Sequence, residues 1–139
     1  MNVIMTPEMV AQTLTDVVGS ERIVLSYLFG SFASDRVHSE SDIDIAFLPA
    51  CPMSDVQVWA FKQSLAERLQ REVDLINLMS CNTVLRMQIV NEGKKLTGNG
   101  FDFDRFEVDT YRMYQDLQLA RADNIDAFKQ RWKSHSSSK

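Results

Sequence analysis

The chain has 139 residues, of which 45% are apolar and 24% charged, so it is long enough to bury one hydrophobic core and too short for two. Its formal net charge of −4 argues against direct binding of nucleic acids, because their backbone requires a basic surface. The sequence has neither a secretory-signal pattern nor an apolar run near the roughly 18 residues that span a bilayer, so we expect a cytoplasmic protein without a membrane partner.

The first elements of the chain are predicted to be a helix and a buried strand. The helix begins with the capping residue Thr6 and ends at Gly19. Residues 22–29 are apolar and rich in β-formers, which is typical of a strand that is buried on both faces. Gly30 ends this strand.

Two later strands carry acidic side chains. In residues 42–48, period-two alternation places Asp42 and Asp44 on one face and apolar residues on the other. Residues 72–78 form the next predicted strand, in which Asp74 is a single carboxylate on an otherwise apolar segment. Both strands therefore present carboxylates within a sheet that is built to be buried.

The remaining elements are mostly helical. Apolar residues recur at helical spacing in residues 54–71 and 82–92, and residues 94–97 predict a short edge strand. Residues 102–133 contain neither glycine nor proline and predict a long helix or a helix pair. The fold class is therefore α+β, a mixed sheet flanked by helices with a C-terminal helical extension.

The chain divides by pattern into three segments. Residues 1–100 form the main domain, residues 101–133 a C-terminal helical segment, and residues 134–139 a serine-rich tail that is expected to be disordered. A small domain cannot easily cover both its sheet and a long helix bearing Phe128 and Trp132, so we predict a partner surface in the helical segment. The alternative is that this segment folds back on its own domain.

The motif that carries chemistry is Gly30-Ser31, ten residues, and then Asp42-Ile43-Asp44. A glycine at a strand end lets phosphate groups approach the backbone, and free N–H groups at the start of a following helix favour anions. Carboxylates two positions apart on a strand point the same way and can converge on a pair of Mg²⁺ ions. Asp74 can complete the second metal site or accept the proton of an incoming hydroxyl. The motif therefore predicts nucleotidyl transfer from a metal-bound triphosphate.

Each part of this motif has an ordinary structural explanation when it is taken alone. An Asp-x-Asp pair is most often the solvated face of an edge strand, and Asp74 alone can be a surface residue. Their joint occurrence on strands that are otherwise apolar favours a site, because burying carboxylates is costly unless a cation offsets the charge.

The same residues resemble the signature of the polymerase-beta-like nucleotidyltransferase superfamily, and the resemblance covers about residues 10–97. The short length is similar to the minimal nucleotidyltransferase branch, whose members are the antitoxins of HEPN/MNT toxin–antitoxin pairs, the MntA family. The resemblance implies a polymerase-beta-like fold that uses ATP with Mg²⁺. It also implies transfer of AMP to a tyrosine hydroxyl of the cognate HEPN toxin, an RNase.

The resemblance also implies roles for individual residues. It assigns nucleotide binding to Gly30 and Ser31, and it assigns both catalysis and metal binding to Asp42, Asp44 and Asp74. Many minimal members have an arginine where this chain has Ser34, and Arg36 is the candidate to replace it.

Two alternatives to an adenylyltransferase antitoxin remain open at this point. The chain can be a binding module that neutralises the toxin by forming a complex, with catalysis secondary. It can also be a small-molecule nucleotidyltransferase of the antibiotic-modifying kind, although that chemistry normally uses additional domain surface to hold the acceptor.

Overall fold

The computed structural model describes residues 5–30 and 42–137, and the side chains of residues 5–30 and 42–122. Its helices are α1 (Pro7–Val18), α2 (Asp55–Leu69), α3 (Thr83–Glu92) and α4 (Gly100–Ser137), and a single 3₁₀ turn covers Ser20–Arg22. Its strands are β1 (Ile23–Phe29), β2 (Ile43–Pro49), β3 (Val73–Asn77) and β4 (Lys94–Thr97). The predicted α+β fold, a mixed sheet flanked by helices, is confirmed.

The four strands lie in the order β3-β2-β1-β4. Strand β1 is antiparallel to both β2 and β4, whereas β2 and β3 are parallel. A parallel pair needs a crossover connection, and α2 supplies it. Because β2 and β3 run in the same direction, their first residues lie next to each other at one end of the sheet.

Helices cover both faces of the sheet. Residues Ile43, Ile45 and Phe47 pack with α1 and α2 in one apolar cluster. Alternate residues of the same strands face α3 and α4, where Tyr27 contacts the ring of Phe103 edge-on at 5.2 Å between ring centroids. Fully burying a large apolar side chain stabilises the fold by about 1.5–3 kcal/mol, so the two clusters hold the ends of β1 and β2 in place.

Side-chain caps fix where the helices begin. A capping box begins α2, with Gln57 N–H donating to Ser54 Oγ and Gln57 Oε1 accepting from Ser54 N–H. At the start of α4, Asn99 Oδ1 accepts from the N–H of Asp102 at 2.8 Å. Helix α4 therefore begins at Gly100, two residues before the predicted helical stretch of residues 102–133.

Helix α4 is one continuous helix of 38 residues, so the choice between a long helix and a helix pair is resolved. Its first turns belong to the core, because Phe103, Phe106 and Thr110 are buried. The predicted boundary after residue 100 therefore separates residues that pack together. Residues 134–137 continue the helix where a disordered tail was expected, and residues 138–139 lie outside the described part of the chain.

None of the helices within the described ranges is long and apolar enough to cross a membrane.

Candidate active site

Four of the six predicted site residues are described by the structure. Gly30 directly follows β1, Asp42 directly precedes β2, and Asp44 and Asp74 lie within β2 and β3. Ser31 and Arg36 fall in residues 31–41, outside the described residues.

The strand pairing brings Asp44 and Asp74 side by side. They are register partners in the parallel β2–β3 pair, and adjacent strands lie about 4.8 Å apart. On the other side of β2, the antiparallel pairing aligns Asp44 with Phe29, the residue before Gly30. Asp44 therefore stands between Asp74 and the glycine of the motif.

Gly30 has two features that only glycine satisfies. Its φ of +78° lies in the left-handed region that side chains rarely adopt. A β-carbon at this position would also overlap Asp44 Oδ2. The absence of a side chain thus leaves room for the Asp44 carboxylate at the end of β1.

The three aspartates repel one another. Burial raises the pKa of Asp44, and the negative charges of Asp74 and Asp42 raise it further. A divalent cation between these carboxylates would relieve that repulsion, so the donor set fits a metal ion that prefers oxygen ligands.

Within residues 5–30 and 42–122, no group of three or more acidic, histidine or cysteine side chains is already arranged to hold a metal ion. Magnesium commonly uses one or two carboxylates and completes its shell with phosphate oxygens and water. The carboxylates of Asp42, Asp44 and Asp74 suit that mode of binding, in which the nucleotide supplies the remaining ligands.

An open cavity of about 520 Å³ adjoins these carboxylates and is called the acidic cavity below. Its described lining comprises Asp42, Asp44, Lys62, Gln63, Ala66, Glu72, Val73 and Asp74. Sequence reasoning did not single out Lys62 or Glu72. Lys62 is the one cation among these described lining residues, and only the crossover geometry of α2 brings it to the start of β3.

This arrangement is suited to binding a polyphosphate with a metal ion. Two adjacent strands present carboxylates at one end of the sheet, and β1 ends beside them in Gly30, whose missing side chain leaves room for the Asp44 carboxylate. Asp42 and Asp74 are exposed while Asp44 is half-buried, so the site can admit both a nucleotide and the hydroxyl group that attacks it.

The family model described as Polymerase beta, Nucleotidyltransferase matches residues 12–100. The chain therefore belongs to the polymerase beta nucleotidyltransferase family. This is the class of protein that the mixed sheet and its acidic strand ends define.

Within that family, the chain is 44% identical over 105 residues to the protein adenylyltransferase MntA of Shewanella oneidensis, a match that covers 76% of each protein. It also resembles a chain of a toxin–antitoxin complex solved with AMP-PNP, with a TM-score of 0.75 and 38% identity over 86% of this chain and 98% of that one. A third relative is the MNT antitoxin chain in a complex with the tri-AMPylated HEPN toxin of Shewanella oneidensis. Its TM-score is 0.71, with 35% identity over 89% of this chain and 99% of that one.

Proposed function

We propose that this protein is an antitoxin that transfers AMP from ATP to a tyrosine hydroxyl of its cognate HEPN RNase toxin and thereby neutralises it. The observation that carries the proposal is the alignment of Asp44 with Asp74 on paired strands beside Gly30. The similarity to protein adenylyltransferase MntA, to a complex with AMP-PNP and to a complex with an AMPylated toxin supports the same activity. ATP and an intracellular RNase toxin would place the protein in the cytoplasm.

Each aspartate has a role in this proposal. Asp42, Asp44 and Asp74 would hold Mg²⁺, which would supply charge neutralisation for the triphosphate. Support comes from the raised pKa of Asp44, which reflects burial and its two acidic neighbours. A similar solved complex carries a mutant in which two aspartates, two positions apart, are replaced by glutamate. That spacing equals the spacing between Asp42 and Asp44.

The remaining groups orient the reactants. Gly30 and Ser31 would contact the triphosphate through their backbone, and Arg36 would add a positive charge. The tyrosine oxygen forms a bond to the α-phosphorus while the bond to the β-phosphate oxygen breaks and pyrophosphate leaves. Asp74 is exposed and adjoins Asp44, so it is the carboxylate that we assign to receive the tyrosine proton.

The toxin is proposed to dock on the part of α4 that extends beyond the core. Residues 111–122, called the outer segment of α4 below, are exposed or half-buried throughout. They include Tyr111, Met113 and Leu119, and Leu119 is 64% exposed. Apolar side chains held out on a helix are typical of a surface that a partner covers. This proposal places the main domain in residues 1–110 and the partner surface beyond it.

Intact mass spectrometry tests the proposed activity. The protein is incubated with ATP, Mg²⁺ and the product of the adjacent gene, and the partner is then weighed. We expect AMP-sized increments with the wild-type protein and none with Asp42→Asn or Asp44→Asn. If no adduct appears and both variants still neutralise the toxin, the protein acts as a binding module. If the partner gains no mass while a small-molecule hydroxyl acceptor in a parallel incubation does, the antibiotic-type activity is correct.

A further inference from the structure

The acidic cavity lies at the β3 edge of the sheet, on the side of Asp44 that faces away from Gly30. Strand β3 is the edge strand, β2 carries Asp44, and Gly30 follows β1 on the far side of β2. The described lining of the acidic cavity comes from α2, β2, β3 and the residues that directly precede the two strands, and it includes no residue of β1. The cavity therefore reaches the carboxylates from the side opposite to Gly30.

The two sides of Asp44 have different roles in a nucleotidyl transfer. The attacking oxygen and the leaving oxygen lie roughly in line, on opposite sides of the phosphorus atom. The proposed triphosphate contact at Gly30 puts the leaving pyrophosphate on the β1 side of Asp44. The attacking hydroxyl must then approach from the other side, where Asp74 lies next to Asp44. The acidic cavity is on that side, so it is where the acceptor side chain enters.

Lys62 lines the acidic cavity from α2 and has no partner among the described residues. Its side chain is half-buried, and the other charged groups of the described lining are the carboxylates of Asp42, Asp44, Glu72 and Asp74. Within residues 5–30 and 42–122, Lys62 makes neither an ion pair nor a hydrogen bond. Holding an ammonium group partly out of water without a partner costs free energy, so the position of Lys62 is explained best by an incoming group that it binds.

We propose that Lys62 binds the hydroxyl oxygen of the acceptor tyrosine in the acidic cavity and stabilises the negative charge that develops on this oxygen during AMP transfer. The inference rests on the proposed adenylyl transfer and adds a catalytic residue to it. The tyrosine oxygen forms a bond to the α-phosphorus, its proton passes to Asp74, and pyrophosphate leaves on the Gly30 side. During this step the Lys62 ammonium donates a hydrogen bond to the attacking oxygen.

A phenol is the class of acceptor that Lys62 favours. The ordinary pKa of a tyrosine hydroxyl is about 10, and a neighbouring positive charge favours the ionised form. An ammonium group can therefore stabilise a phenolate near neutral pH. The cavity of about 520 Å³ has room for the ring. The exposed carboxylates of Asp42 and Glu72 line the same cavity and would repel acidic neighbours of the acceptor, so the tyrosine is expected in a neutral or basic segment.

A contact between Lys62 and the triphosphate is the alternative, because ammonium groups also bind phosphate oxygens. The two roles lead to opposite expectations for nucleotide affinity. Removing a phosphate ligand weakens the binding of the nucleotide. Removing a cation that binds only the acceptor leaves the carboxylates more negative and so strengthens the binding of Mg²⁺ and its nucleotide. Nucleotide affinity therefore separates the two roles.

Transfer kinetics and calorimetry on the purified full chain test this assignment. Lys62→Met keeps the length of the side chain and removes its charge. We expect its kcat for AMP transfer at saturating toxin to fall by about a hundredfold. Its Kd for AMP-PNP with Mg²⁺, measured by isothermal titration calorimetry, should be no higher than that of the wild type. Lys62→Arg keeps a positively charged donor, so its kcat should stay within about tenfold of the wild-type value.

The matched control is Lys94→Met, which removes the same charge from an exposed position on β4, at the opposite edge of the sheet, and should transfer AMP at the wild-type rate. A wild-type kcat in Lys62→Met would overturn the inference. Weaker binding of AMP-PNP to Lys62→Met would also overturn it and would assign Lys62 to the triphosphate. Equal losses of kcat in Lys62→Met and Lys62→Arg would overturn it as well, because charge would not be what matters.

The wild-type protein separates this inference from the proposed function. If it transfers no AMP to the toxin, the proposed function itself fails, together with the role of Lys62. If it transfers AMP and the Lys62 variants do so equally well, only the role of Lys62 fails. Should Lys62→Met not fold, Lys62→Gln removes the same charge and takes its place in both measurements.

Discussion

The α-carbon of Gly30 lies so close to the carboxylate of Asp44 that a β-carbon at position 30 would overlap Asp44 Oδ2. The two residues are 14 positions apart in the sequence and meet because β1 and β2 are antiparallel neighbours. Gly30 therefore determines the position of a proposed metal ligand, in addition to its proposed backbone contact with the triphosphate. The size of residue 30 and the geometry of the carboxylates are coupled.

Gly30→Ala should reduce adenylyl transfer by about a hundredfold, because a displacement of about 1 Å in a reacting group costs that much. Because alanine is strained at the left-handed φ of +78°, the substitution should also lower the free energy of unfolding by about 1–2 kcal/mol. Rates of adduct formation and urea unfolding curves measure the two effects.

Gly100→Ala is the matched control, because a β-carbon there meets nothing within 4 Å and the position begins a helix. Its activity and stability should equal or exceed those of the wild type. A Gly30→Ala protein as active as this control would contradict the coupling to Asp44.

Asp44→Asn should lower the rate of AMP transfer by about a hundredfold or more. In EDTA, which removes metal ions, the substitution should not destabilise the protein. The pKa of Asp44 is raised in the folded state, mainly by burial and then by Asp74 and Asp42. Ionised Asp44 therefore opposes folding at pH values above its unfolded pKa, and this cost is relieved as the pH falls through the folded pKa. The asparagine variant lacks the cost at every pH, so its advantage in thermal midpoint over wild type should be largest near neutral pH and shrink on acidification.

Thermal unfolding between pH 4 and pH 8 measures this dependence. Asp116→Asn removes a charge from an exposed position on α4 and serves as the comparison. If Asp44→Asn unfolds at a temperature well below those of the wild type and of Asp116→Asn, the carboxylate stabilises the fold.

Thr110 joins α3 to the first turns of α4. Its hydroxyl accepts a hydrogen bond from Arg86 Nε at 2.7 Å and donates to the carbonyl oxygen of Phe106 at 2.8 Å. Thr110→Val keeps the volume but leaves a partly buried guanidinium N–H unpaired, which should cost about 1–3 kcal/mol of unfolding free energy. Thr110→Ser keeps the hydroxyl and should lose less in urea denaturation. Equal losses in both variants would mean that packing outweighs the hydrogen bond.

The outer segment of α4 should bind the toxin. Leu119→Asp places a charge on an exposed apolar position and should weaken the complex with the toxin at least about tenfold while ATP binding is unchanged. Removing everything after Gly100 is a poor test, because it also removes the buried Phe103 and Phe106. Pull-down and calorimetry with the purified toxin provide the measurement.

Val56→Asp is the matched control on α2, since Val56 is 75% exposed and lies on the first turn of another helix. Equal affinity of the Leu119 and Val56 variants for the toxin would remove α4 as the docking surface.

By itself, the sequence determined the local elements and the chemistry that they carry. Caps at Thr6 and Ser54 and period-two alternation around Asp44 are properties of adjacent residues, so they can be recognised without a fold. The same patterns predicted the fold class. The family resemblance predicted that Asp42, Asp44 and Asp74 are the acidic residues of the site.

Only the tertiary structure decided which of these residues meet. Asp74 lies beside Asp44 because β2 and β3 pair in parallel across α2, and the Gly30 contact depends on β1 being the other neighbour of β2. Likewise, the position of Glu92 near Gly30 and the burial of Phe103 depend on α3 and α4 packing on the same face of the sheet. Strand order and the choice of face are set by the total burial of apolar surface over the whole chain. The total burial depends on contacts between distant segments of the chain. Strand order and the choice of face therefore cannot be predicted from any short stretch of the sequence.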